Sequence, residues 1–142
     1  MRPLPSNAFG RMEGACRALL QTTPDDANWN WDREYHAALL ILRAGREAAL
    51  LEQLGSLMPW TWTRHDIGNA PSQVRHVCGI WGGLMVAQRL FVLDPDDDPM
   101  LFASWWPWGN RQKFSLRVGC YARSDVVIRA DPQRKLQAAL GL

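Results

Sequence analysis

Apolar positions recur at two different periods along this chain, and the change from one to the other falls near Pro59. Ahead of it the spacing is helical. Ser6 or Asn7 can cap a helix whose Ala8, Met12, Cys16 and Leu19 line one side, with Arg11 and Arg17 outside. Thr23-Pro24-Asp25-Asp26 is a second start signal, but Asn28 and Asn30 are poor helix-interior residues, so only a turn is expected there. A main helix is predicted from about Asp32 to Leu57. Its unbroken run Leu39–Leu42 covers a full turn, which implies burial round most of the circumference or sharing with a partner chain.

Past Pro59 the period becomes two. Trp60-Thr61-Trp62-Thr63 alternates as a strand, and residues 65–71 carry turn chemistry. Residues 73–78 fit a strand or a short helix equally. Residues 84–93, 100–106, 111–123 and 126–129 read as strands separated by Asp94–Pro99, Gly109-Asn110 and Ser124-Asp125. Connections this short require antiparallel neighbours. Asp131-Pro132 opens a final helix with Leu136, Ala139 and Leu140 on its apolar side. The predicted fold is one α+β domain over residues 1–142: two N-terminal helices, an antiparallel meander of about four to five strands with a helix layer on one face, and a short C-terminal helix.

A two-residue turn at Gly109-Asn110 would set Trp106 opposite Lys113, Trp105 opposite Phe114 and Ala103 opposite Leu116. Leu101, Ala103, Trp105, Phe114, Leu116, Val118, Cys120 and Ala122 would then form a dry face for helices to cover. Placing Leu93 opposite Met100 adds Leu84, Val86, Leu90 and Val92 to it. The opposite face would carry Arg89, Phe91, Phe102, Trp106, Lys113, Ser115, Arg117, Tyr121 and Arg123, with Trp108 and Arg111 at the turn. Rings mixed with guanidinium groups can grip a protein partner, stack bases or hold a sugar. The bland alternative is an ordinary half-exposed sheet with cross-strand aromatic and cation–π pairs.

Composition sharpens this picture. Eight tryptophans include three pairs spaced by two, Trp29/Trp31, Trp60/Trp62 and Trp106/Trp108, a spacing that puts both rings on one side of a strand. Sixteen basic against 14 acidic residues leave +2, far from the profile of a dedicated nucleic-acid binder. Cys16, Cys78 and Cys120 fit neither a zinc spacing nor a disulfide framework. The apolar stretch 77–87 is short of the roughly 20 residues that span a bilayer, and charge at Arg11 and Glu13 precedes any signal-like run. A cytoplasmic protein without a membrane partner is expected.

Candidate chemistry is sparse. Asp32 and His36 at helical spacing could share a ligand, Arg64-His65-Asp66 sits at a loop mouth, and His76/Cys78 could meet only on a strand. Asp94, Asp96 and Asp98 resemble the opening of a calcium loop, but Pro99 and Trp105 stand where glycine and a bidentate Glu belong, so a solvated turn is expected instead. Nothing calls for a cofactor or metal, and no phosphate-binding glycine motif is present. The leading expectation is therefore a non-enzymatic binding module that captures a protein partner through the aromatic and Arg face. A nucleic-acid-binding accessory protein using the same face is the alternative. An enzyme with a Trp-lined pocket and Tyr35, His36, His65 or Asp66 as acid–base groups is the third. A homodimer fits all three.

Overall fold

The computed structural model describes residues 7–110 and 112–142. Among them the order is α1 (Ala8–Thr22), β1 (Trp29–Asp32), β2 (Ala37–Arg43), α2 (Glu47–Leu57), β3 (Trp60–Trp62), a 3₁₀ turn (Ile67–Asn69), α3 (Ser72–Ile80), β4 (Arg89–Val92), β5 (Met100–Pro107), β6 (Lys113–Tyr121), α4 (Asp125–Arg129) and α5 (Pro132–Ala139). The fold is α+β with an antiparallel six-stranded sheet in the order β1-β2-β6-β5-β4-β3. Asn7 caps α1 by accepting the Gly10 N–H at 3.2 Å, and Ala8, Met12, Ala15, Cys16 and Leu19 are its buried stripe. Asp131 and Ser124 cap α5 and α4 in the same way.

The predicted main helix is instead a hairpin followed by a shorter helix. Leu39–Leu42 belongs to β2, which lies between β1 and β6; Ala38, Leu40 and Leu42 are buried on one face, while the other passes from buried Ala37 through half-buried Leu39 to exposed Ile41 and Arg43. Because Leu39 and Ile41 are apolar as well as Leu40 and Leu42, the run carries no alternation, and over four residues it cannot be told from a buried helix. Residues 72–80 resolve as α3, and residues 125–129, expected as a strand, form α4.

Helices cover both faces of the sheet, not one. On the first face α1, α2 and α5 enclose Trp29, Ala38, Leu40, Leu42, Phe91, Leu101, Ala103, Trp105, Phe114, Leu116 and Val118. On the second, Val74, Val77 and Cys78 of α3 with Trp81 pack on Ala37, Leu90, Val92, Met100 and Phe102. The Trp81 ring lies directly on Gly119, where an added Cβ would come 2.8 Å from the ring, and it meets Phe102 at 4.5 Å between centroids.

Two registers differ from expectation, with opposite consequences. In β5–β6, Trp105 faces Leu116 and Trp106 faces Ser115, because the connection spans residues 109–112 and closes with the Trp108 N–H donating to Lys113 O at 2.9 Å. That is a slip of two residues, which preserves both faces. Trp105 and Phe114 now stack diagonally at 5.2 Å. In β4–β5, Phe91 faces Ala103 and Leu90 faces Ser104, a slip of one. Phe91 therefore enters the first core, while Leu90 and Val92 turn to the second face. Residues 84–88 stay outside the strand, leaving Met85 and Val86 exposed.

The acidic turn is clamped, not solvated. Asp97 is buried and paired with Arg11 of α1, while the Arg123 guanidinium donates to Asp96 O at 3.1 Å and Asp97 O at 2.8 Å. Asp98 accepts the backbone N–H of Arg123 at 2.8 Å and of Ser124 at 3.0 Å. Partial burial would raise the Asp98 pKa, but these donors outweigh it and hold the carboxyl below its ordinary value.

Gly119→Ala is expected to destabilise the fold by ~1–3 kcal/mol because the added Cβ would come 2.8 Å from the packed Trp81 ring and 3.2 Å from Phe102, lowering Tm by several degrees. Gly79→Ala, which meets nothing within 4 Å, leaves Tm unchanged or higher. Calorimetry of the two variants separates close contact from a generic glycine effect. Because the folded pKa of Asp98 is lowered, its stabilising contribution is complete above the ordinary value of about 4 and drains away as pH falls through the folded value. Denaturant unfolding of Asp98→Asn should thus differ from the parent most near neutral pH and converge on it toward about pH 3. An equal difference at both pH values would show that Asp98 acts without its charge.

Candidate functional site: a half-covered sheet face around Arg117

The second face is ordered by cross-strand rows. One row runs Trp62–Leu90–Ser104–Arg117–Leu39–Asn30, each residue directly opposite the next. The row on its α3 side holds Trp60, Val92, Phe102 and Gly119, and the row on the other side holds Ile41, Ser115 and Trp106. Arg43 faces Lys113 beyond that, with Trp108 alongside. Helix α3 covers the Gly119 row. Toward the far end Ile41 is 42% and Trp108 39% exposed.

Arg117 sits at the boundary with its side chain only 14% exposed. Its guanidinium carbon is 4.4 Å from the Trp106 ring and 4.8 Å from the Tyr35 ring, so aromatic surface stabilises the cation where water is excluded. Nε donates to Asp32 Oδ2 at 3.2 Å. The other oxygen, Asp32 Oδ1, accepts the backbone N–H groups of Glu34 at 3.0 Å and Tyr35 at 3.3 Å. One carboxylate thereby ties the β1–β2 turn to the guanidinium and holds Tyr35 over it. Tyr35 also makes edge contacts with Trp81 and Trp106, at 6.4 and 5.9 Å. The turn closes through His36 at φ 51°, a left-handed conformation that among non-glycine residues favours Asn, Asp and His.

Three buried polar atoms in this cluster have no hydrogen-bond partner: Arg117 Nη1, Ser104 Oγ and Trp106 Nε1. Each such group costs about 1–3 kcal/mol relative to a satisfied one. They lie on adjoining residues, Ser104 directly opposite Arg117 and Trp106 stacked on it.

The ten residues proposed for the binding face divide. Trp106, Trp108, Lys113 and Arg117 share the second face, with Trp108 Nε1 donating to Ser115 Oγ at 2.7 Å and Lys113 Nζ 5.2 Å from its ring. Phe102 is on that face but buried beneath Trp81, and Tyr121 rests against His76 at 4.9 Å. Arg89 and Phe91 belong to the first face through the one-residue slip. Arg123 holds the acidic turn. Arg111 lies outside the described residues. Sequence reasoning missed Ser104, an isolated hydroxyl in a buried strand. It also assigned Asp32 and Tyr35 to a helix, when their work is to seal Arg117.

Comparison with protein-family models, with curated proteins and with solved structures finds no match for this chain. The chemistry must come from the residues themselves. His76 and Cys78 diverge on α3, His76 exposed and Cys78 buried with its thiol pKa raised by burial. Burial foremost, with Cys120 and Glu13 adding to it at Cys16 and Asp131 at Cys120, pushes both up to about 12, which keeps both as thiols. Asp66 accepts the Thr63 N–H at 2.7 Å and so serves the loop's own turn. Among the described residues no group of three or more His, Cys, Asp or Glu is placed to hold a metal, and no helix is long and apolar enough to cross a membrane. Tyr35 lines a second feature, a cleft of about 190 Å³ shared with His36, Trp81, Phe102, Cys120 and Tyr121.

Arg117→Met and Asp32→Asn should each cost roughly 2–4 kcal/mol, since each strands a largely buried partner, whereas the double variant should lose clearly less than their sum. A denaturant double-mutant cycle reads the coupling, expected at ~1–3 kcal/mol. Strict additivity would show that the pair contributes nothing as a pair.

Proposed function

We propose that this protein is a binding module that captures a protein partner on the open half of the second sheet face. The observation that carries this reading is the uncovered end beyond α3, where Ile41 and Trp108 present apolar surface beside the exposed cations Arg43 and Lys113. Tryptophan and arginine concentrate binding energy when a partner excludes water from them, and half-buried Trp106 gives such a contact a rigid floor. Cations flanking apolar surface favour a partner that brings acidic residues to the rim.

A nucleic acid is less well served by the same surface. Phosphate tracking needs several free cations, and here Arg117 is paired with Asp32 while Arg123 is spent on backbone carbonyls of the acidic turn. Catalysis has still less support, because the thiols stay protonated and His36, His65 and His76 are not brought together with a buried acid–base partner.

The test is site-specific photo-cross-linking in native lysate from Ile41, from Trp108 and, as a control, from exposed Val126 of α4 at the opposite end of β6. The expected result is one discrete protein adduct from Ile41 and Trp108, insensitive to nuclease and absent from Val126. With the identified partner purified, Ile41→Arg should weaken binding at least ~10-fold without changing Tm. Adducts that vanish with nuclease, or that form equally from Val126, would overturn the reading.

A further inference from the structure

We propose that Arg117, Ser104 and Trp106 form a receiving site for the carboxylate of a small ligand, closed by Tyr35, with the ligand's apolar body in the neighbouring cleft. This goes beyond capture of a protein on the open half of the face and does not depend on it. The Trp106 and Tyr35 ring centroids lie 4.4 and 4.8 Å from the guanidinium carbon and 5.9 Å from each other, so the two rings meet it from adjacent directions and not from opposite sides. Asp32 occupies the Nε edge. The Nη1 donor is buried and unpartnered, as are the indole N–H of Trp106 and the hydroxyl of Ser104, itself only 2% exposed. Two N–H donors and a hydroxyl on adjoining residues can be met by the two oxygens of one carboxylate, which forks to a guanidinium while accepting further bonds. Like charge from Asp32 is tolerated because the two carboxylates take different edges of one delocalised cation.

Closure is local. Tyr35 belongs to a four-residue turn whose Arg33, Glu34 and His36 side chains are exposed, so its swing breaks its own contacts with Trp81, Trp106 and Arg117 but none made by its neighbours in the turn. Its ring stands over Arg117 and also lines the 190 Å³ cleft with Trp81 and Phe102. Displacing it joins the two spaces. A dry cavity of about 150 Å³ admits a benzene ring, so the cleft fits a ligand with one aromatic ring or an apolar group of like size.

The experiment follows the eight indole N–H signals of the full chain by proton–nitrogen correlation NMR, the Trp106 signal being the one lost in Trp106→Phe. Phenylacetate is titrated against phenylacetamide, acetate and sodium chloride at matched ionic strength. Expected is a saturable downfield shift of the Trp106 signal with phenylacetate, affinity at least ~10-fold weaker for the neutral amide, and weaker binding again for acetate. Ser104→Ala, which leaves the ion pair intact, should weaken phenylacetate ~3- to 10-fold, and Arg117→Lys at least ~10-fold. A Trp106 signal that responds no more to phenylacetate than to chloride overturns the site. Equal binding of the amide overturns the carboxylate, and equal binding of acetate overturns the cleft. None of these outcomes bears on cross-links from Ile41.

Discussion

A six-stranded sheet has two faces to keep dry, and this chain supplies helices enough for one and part of the other. Strands about 4.8 Å apart make the sheet roughly 24 Å across, while a helix is about 10 Å wide. Three helices, α1, α2 and α5, close the first face. The second receives α3 alone, nine residues that span about 13 Å. What the helix cannot reach must be covered by side chains standing on the sheet or left to solvent. Large flat rings are the economical solution, and they account for Trp60 stacked near Trp62, Trp81 pressed on Gly119, and Trp106 with Tyr35 enclosing Arg117. That shortage of helix accounts for the indoles of the second face, whereas Trp29 and Trp105 are core residues of the first.

Side-chain alternation decided which parts of this arrangement were legible from the residues alone. The β5–β6 faces were readable even though the connection was misjudged, since a slip of two leaves every side chain on its side. The β4–β5 pairing had no such protection. Leu90, Phe91 and Val92 are all apolar, because both faces are covered at that strand, and a run without polar members carries no phase. In β2 residue type did the same: Leu40 and Leu42 are buried on the first face, while Ile41 on the second is exposed yet apolar, so Leu39 to Leu42 reads as one unbroken run. Sequence periodicity reports one-sided burial, and it falls silent wherever a strand is buried on both sides.

The site was half legible for a related reason. Trp106, Trp108, Lys113 and Arg117 alternate cleanly on strands with one partly open face, so their grouping was visible from the hairpin. Their seal was not. Asp32 and Tyr35 come from the β1–β2 turn some 80 residues earlier, and an ion pair across that separation leaves no local spacing to detect. Ser104 was hidden by ordinariness: a lone serine between Ala103 and Trp105 means nothing until the pairing sets it against Arg117.

Arginine at this position has a physical reason that lysine would not satisfy. A guanidinium is flat and weakly hydrated, so it can lie against Trp106 and Tyr35 and still present donors around its rim, whereas an ammonium holds its water and offers no plane to stack. Arg123 and Arg11 are engaged in holding the acidic turn against α1, while Arg43 and Lys113 stay exposed at the open end of the second face. The sheet face keeps one desolvated cation with unfilled donors and a few exposed ones at its open end, which suits recognition of a single acidic group better than a polyanion.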